Sequence, residues 1–258
     1  MSNRLSRFCD GVMEAAWLIA VIVTPLFFDT YSARSFEPDK IALLRSLALV
    51  ALAAWCIKLV GERGARIDIV APQYFRSPLA LLRLPLVAPA AALAAAYVLA
   101  TLVSVSPHAS LFGSYQRLQG AFSTLAYIAL FAVVAGNLRQ RAQVERLITA
   151  IIITSLPASL YGILQRYHRD PLLWGRDTSQ RITGTQGNAI FIAAYLMLPT
   201  LLMAGRIIAA FRAVLTEPQN YLANLGRAAI YLFILALNLN AISFPASSGP
   251  LHGLDAGE

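Results

Sequence analysis

Gly113-Ser-Tyr-Gln-Arg117-Leu-Gln-Gly120 runs directly into Ala121-Phe-Ser-Thr-Leu-Ala-Tyr-Ile-Ala-Leu-Phe-Ala-Val-Val134. The first part is polar, bracketed by glycine, and holds one arginine. The second part carries no charge. Another apolar run, Leu84 to Val105, lies on the other side. Runs of this length are candidate membrane helices, because about 20 helical residues cross roughly 30 Å of hydrocarbon. The polar segment between them is then a loop at a membrane surface. In a chain this apolar it is one of few places where polar chemistry has room.

The rest of the chain has the same character. Of its 258 residues, 58% are apolar and only 13% are Asp, Glu, Lys or Arg, against about 25% charged in a soluble domain. Mean hydropathy is +0.62. A soluble protein of this length needs a polar skin that this composition does not supply. Seven apolar runs approach spanning length: about 12–28, 41–60, 85–105, 121–137, 147–165, 189–208 and 227–244. They lack the alternation of barrel strands, which leaves helices as the structure that satisfies its own backbone in lipid. The expectation is an all-α polytopic membrane protein with about seven transmembrane helices. Residues 1–245 form a single transmembrane domain, and 246–258 form a short polar tail.

Net charge is +8. With the N-terminus inside, 13 Lys and Arg fall on the cytoplasmic side and 8 on the other. That asymmetry favours a cytoplasmic N-terminus and an external C-terminus. The first apolar run lacks a small-x-small cleavage site and reads as a retained anchor. The arginines are spread over many short loops and make no continuous basic face, so nucleic acid is not an expected partner. Membrane lipids are, with anionic headgroups or phosphate as a second use for the charge. Cys9 and Cys56 have no partner at metal-ligand spacing. No P-loop, HExxH, GxSxG or CxxC occurs, and neither a metal nor a cofactor is expected.

Three polar segments precede helices that run inward from the outer face: Glu37 to Lys40, Gly113 to Gly120, and Gly184 to Asn188. Each places a helix N-terminus, with its unpaired N–H groups and partial positive charge, at that face. Pro38 suits a first helical position, and Asn188 suits an N-cap. Glycine lets backbone approach a ligand closely. Lys40, Arg45, Arg117 and Arg181 add full charges, and arginine grips phosphate oxygens in pairs. Together, Arg117, Arg45, Arg181, Lys40, Gly113, Gly120, Gly184 and Asn188 make a candidate site for an anionic group such as a lipid-linked pyrophosphate. Inner helix starts have the same dipole, so the distinguishing feature is glycine flanking an arginine, at Arg117 and loosely at Arg181. Interfacial anchoring is the competing reading of the same charges.

Three motifs also resemble those of the O-antigen ligase and O-antigen polymerase family of bacterial membrane glycosyltransferases. They are Phe36-Glu-Pro-Asp-Lys40 with Leu43-Leu-Arg45, Phe112-Gly-Ser-Tyr-Gln-Arg117-Leu-Gln-Gly120, and Gly184-Thr-Gln-Gly-Asn188 followed by Phe191-Ile-Ala-Ala-Tyr195. The middle motif is the most specific. In the last, Ala189 stands where such proteins often have proline. The resemblance covers roughly residues 12 to 245. It implies the N-terminal part of a fold of about twelve spans, acting at the outer face of the inner membrane. Such proteins move a glycan from an undecaprenyl-pyrophosphate carrier to an acceptor sugar, with neither metal nor nucleotide. Arg117, and after it Arg45 and Arg181, would then meet the donor pyrophosphate. The family's later spans and large outer loop have no counterpart in these residues, and Ser247-Ser248-Gly249 stands where the family has Ser-Arg-Gly. The expectation is therefore a truncated chain, inactive alone. The alternatives are one half of a split glycosyltransferase whose partner chain supplies the missing half, or a non-enzymatic membrane subunit or lipid-binding scaffold.

Overall fold

The computed structural model describes residues 4–29, 36–61, 86–114, 117–170, 172 and 182–246. Among these residues it is helical, with no strand. The helices are α1 (Arg4–Leu26), α2 (Pro38–Gly61), α3 (Val87–Leu102), α4 (Pro107–Phe112), α5 (Ala121–Asn137), α6 (Arg141–Arg166), α7 (Ala189–Thr216) and α8 (Tyr221–Ala246). Short 3-10 turns cover Gly184–Gln186 and Pro218–Asn220.

Each of the seven apolar runs folds as a helix. Five, namely α1, α2, α6, α7 and α8 with the turn before it, are long and apolar enough to cross a membrane. The other two are shorter: α3 has 16 residues and α5 has 17. At 1.5 Å per residue they reach about 24–26 Å, short of a full hydrocarbon core of roughly 30 Å. The expected run 85–105 is trimmed at both ends. Leu86 adopts a left-handed conformation, with φ 69°. At the far end Pro107 disfavours helix at Ser106 before it and starts the six-residue α4. Hydropathy does not mark this short helix.

The chain divides into two compact units. The first takes residues 1–20 and 29–144, the second 21–28 and 145–258. In the first unit α5 is the hub, with α2, α3 and α4 all packed on it. Ala48, Ala51 and Ala54 are buried on α2, and Ala121, Ala126 and Val133 on α5. Small side chains let helices approach closely, which matters where lipid removes any hydrophobic drive to associate. At the far end of these helices, Lys58 Nζ donates to Asp10 at 2.6 Å and to Asn137 Oδ1 at 3.2 Å, joining α1, α2 and α5. Gln143 Oε1 accepts from the N–H groups of Arg139 and Gln140 as the chain turns into α6.

In the second unit α7 and α8 form an antiparallel hairpin, with α6 alongside. Two apolar clusters hold it: Ile152, Met203 and Ile234 in one, and Ala158, Leu196 and Ala241 in the other. Between them, Asn238 Nδ2 donates to Ser155 Oγ at 3.0 Å, and both residues are fully buried. Asn238 Oδ1 has no hydrogen-bond partner among the described residues. An interhelical bond of this kind contributes about 0.6 kcal/mol on average and about 1.7 at most. Ser155→Ala strands the whole Asn238 amide and is expected to destabilise by about 1 kcal/mol. Asn238→Leu removes the orphaned oxygen along with the bond and is expected to cost less. Equilibrium unfolding in mixed micelles measures the difference.

Candidate functional site

The two described ends of the 113–120 segment, 113–114 and 117–120, touch. Gly113 has φ +84°, and a Cβ there would lie 2.5 Å from the backbone nitrogen of Gln119. A Cβ on Gly120 would collide with the backbone of Gly113 and of Leu111. The bracketing glycines have a structural job here. They let backbone approach backbone, closing the loop where α4 ends and α5 begins. Within it, the N–H groups of Arg117 and Leu118 both donate to Ser114 O, at 3.1 and 2.8 Å. Leu118 sits in the left-handed region, with φ +50°.

Arg45 reaches this loop from α2. Its Nε donates to Ser123 Oγ at 3.0 Å. Its Nη2 donates to Ser123 Oγ at 2.8 Å, to Leu118 O at 2.5 Å and to Phe112 O at 3.1 Å. Ser123 Oγ itself donates to Leu118 O at 2.6 Å. The guanidinium lies over the Phe122 ring, 4.7 Å from its centroid, and Phe112 meets Phe122 edge-on. One side chain thus binds the residue before the loop, a residue near its end and the first turn of α5. A left-handed leucine costs about 1–2 kcal/mol. A hydrogen bond to a charged group contributes about 1.5–3 kcal/mol, enough to hold Leu118 where its own backbone preference would not.

Arg117 is placed quite differently. It is exposed, and its guanidinium has no hydrogen bond or ion pair among the described residues. Lys40 is buried, at 8% exposure. Arg45 lies five positions further on, about 140° around the helix at 3.6 residues per turn, so the two do not share a face of α2. Pro38 is the first residue of α2, as its chemistry suggests. Beside the loop, an apolar groove of about 390 Å³ lies between α3 and α5, lined by Leu86, Pro89, Leu93, Thr124, Tyr127 and Phe131 among others.

The third motif belongs to the second unit. Gly184 is buried with φ +52°, and a Cβ there would run into the Ile192 side chain. Its N–H and that of Thr183 both donate to Gln165 Oε1, at 2.7 and 3.1 Å. Gln165 Nε2 donates to Asp170, which also accepts from Tyr161 OH. Thr185 Oγ1 and Gln186 Nε2 both donate to Pro25 O, satisfying a carbonyl at the C-terminal end of α1. Asn188 caps α7, its Oδ1 accepting from Ile190 N at 2.9 Å, as its position in the sequence suggests. Arg181 lies outside the described residues.

The structure thus brings Gly113, Gly120, Arg45 and Arg117 to one loop, with Lys40 on another side of α2. Gly184 lies in a buried turn in the other unit, and the exposed Asn188 caps the helix that follows it. Ser123, Leu118 and Gln165 join these arrangements without being among the residues expected from the sequence. Ser123 is legible in principle, as the one small hydroxyl three residues after the closing glycine. Gln165 shows as an uncharged amide at the end of an apolar run. Nothing local marks Leu118.

No protein-family model, curated protein or solved structure matches this chain.

Loop closure rests on Gly120 having no side chain. Gly120→Ala is expected to force the ends apart at a cost of about 2 kcal/mol or more and to raise amide exchange across residues 111–124. Ser114→Ala, which keeps the carbonyl that receives both turn bonds, is expected to leave exchange unchanged.

Proposed function

We propose that this chain is an O-antigen ligase- or polymerase-like protein of a bacterial inner membrane, and that it binds a polyprenyl-pyrophosphate-linked glycan at the outer face. The observation that carries this reading is Arg117. Its guanidinium is exposed and unengaged among the described residues, next to Leu118, whose carbonyl accepts from Arg45. Five N–H groups in a rigid fork suit the paired oxygens of a phosphate. The N-terminus of α5, with its partial positive charge, starts at the same loop. The apolar groove between α3 and α5 begins at Thr124 and Tyr127, about one turn into α5, and gives a polyprenyl chain a bed next to the charge. In glycan transfer the pyrophosphate is the leaving group, so a cation placed there stabilises charge as it develops.

The topology belongs to the proposal. α3 and α5 act as short spans beside the five longer ones, giving seven crossings. A cytoplasmic N-terminus then puts the 113–120 loop outside. The residues assigned are those of donor binding.

Undecaprenyl pyrophosphate binding to the full chain in lipid nanodiscs tests the reading. Arg117→Ala is expected to weaken binding tenfold or more, the loss of about one charge-assisted bond, with insertion unchanged. Equal binding by Arg117→Ala overturns it. Reporter fusions test the orientation: a fusion after Ser114 is expected to report an external position and one after Gln140 a cytoplasmic position. The reverse pattern removes the outer-face site.

A further inference from the structure

The geometry points to Arg45 as a positioning residue, one that acts on the ligand by fixing the backbone that carries Arg117 and makes no ligand contact of its own. The inference deepens the function proposed above and rests on it.

The guanidinium of an arginine has five N–H donors and two edges that can present a parallel pair to a phosphate or carboxylate. One edge is formed by Nε with Nη2, the other by Nη1 with Nη2. Both need Nη2. In Arg45 the first edge is closed on Ser123 Oγ, with Nε at 3.0 Å and Nη2 at 2.8 Å. Nη2 also serves Leu118 O and Phe112 O. Neither edge is left for a bidentate grip, and the Phe122 ring lies against one flat face. Arg117 has the opposite condition, with no bond on its guanidinium among the described residues. Two arginines that look alike in sequence are therefore divided in labour.

Leu118, the neighbour of Arg117, carries the effect from one arginine to the other. Its φ of +50° is a conformation a leucine rarely adopts. Its carbonyl is held by the Arg45 guanidinium and by the Ser123 hydroxyl. That peptide sets the direction in which the chain leaves Arg117 for Gln119 and the closing Gly120. Without Arg45 a leucine is expected to relax toward negative φ and swing Arg117 with it. Glycine reaches positive φ with no such penalty.

This difference supplies the test. Undecaprenyl pyrophosphate binding and amide exchange across residues 111–124 are measured for the full chain in nanodiscs, with Arg117→Ala as the control for the site itself. Arg45→Ala is expected to weaken binding about tenfold and to raise exchange. Arg45→Lys is expected to behave the same way, because the lysine ammonium ends one bond short of Nη2, the atom that reaches Leu118 O and Phe112 O. Adding Leu118→Gly to either variant is expected to restore most of the binding and to bring exchange back toward the native level. Binding that stays weak in both double variants, while Arg117→Ala shows the site is real, overturns the inference and makes Arg45 a direct ligand contact. Unchanged exchange in both Arg45 variants also overturns it. If Arg117→Ala binds like the native chain, the proposed function fails, and exchange alone then decides whether Arg45 positions the loop.

Discussion

Hydrocarbon offers no water to a peptide group. A helix answers this internally, and every place where a helix stops raises the question again, because each end leaves N–H or C=O groups without partners. The breaks in this structure are closed with side chains suited to that purpose. Thr185 and Gln186 converge on Pro25 O where α1 ends. Gln165, itself buried, receives the N–H groups of Thr183 and Gly184. Asn188 caps α7 and Gln143 gathers the turn before α6. Arg45 does the same for the carbonyls around the 113–120 loop. Several polar residues of the described loops are engaged in this work, whereas the guanidinium of Arg117 has no bond among the described residues.

The contrast between Arg45 and Arg117 follows from where each backbone lies. Arg45 is on a long helix packed against α5, so its side chain meets a neighbour that the fold has already positioned. The guanidinium of Arg117 has no hydrogen bond or ion pair among the described residues. A helix can hold a loop in a strained shape, as it holds Leu118, since the packing that fixes α2 against α5 is independent of the loop.

The two glycine motifs show how one residue type serves two geometries. Gly113 and Gly120 allow two stretches of loop backbone to cross, closing an exposed loop. Gly184 allows a buried turn to slide beneath Ile192 while its N–H is taken by Gln165. In sequence both read as glycines beside polar residues at the start of an apolar run. Only the first leaves an arginine accessible among the described residues.

The sequence by itself determined the all-helical character, the seven apolar runs that become helices, Pro38 as a helix start and Asn188 as a cap. These follow from composition, length and local chemistry, which act over a few residues. It also marked the 113–120 loop, because polarity between two apolar runs is a local signal. It overstated helix length at α3, where Leu86 and Pro107 bound the helix more tightly than hydropathy suggests. The tertiary structure alone decided the roles within the loop. Arg45 and Ser123 are 78 residues apart, and no local pattern announces that a guanidinium on one helix will meet a hydroxyl on another. The same holds for Leu118, which in its left-handed conformation presents its carbonyl to a guanidinium from another helix. Side chains whose partners are near in sequence could be read from the chain. Those whose partners arrive by packing could not, because helix packing chooses which donor meets which acceptor.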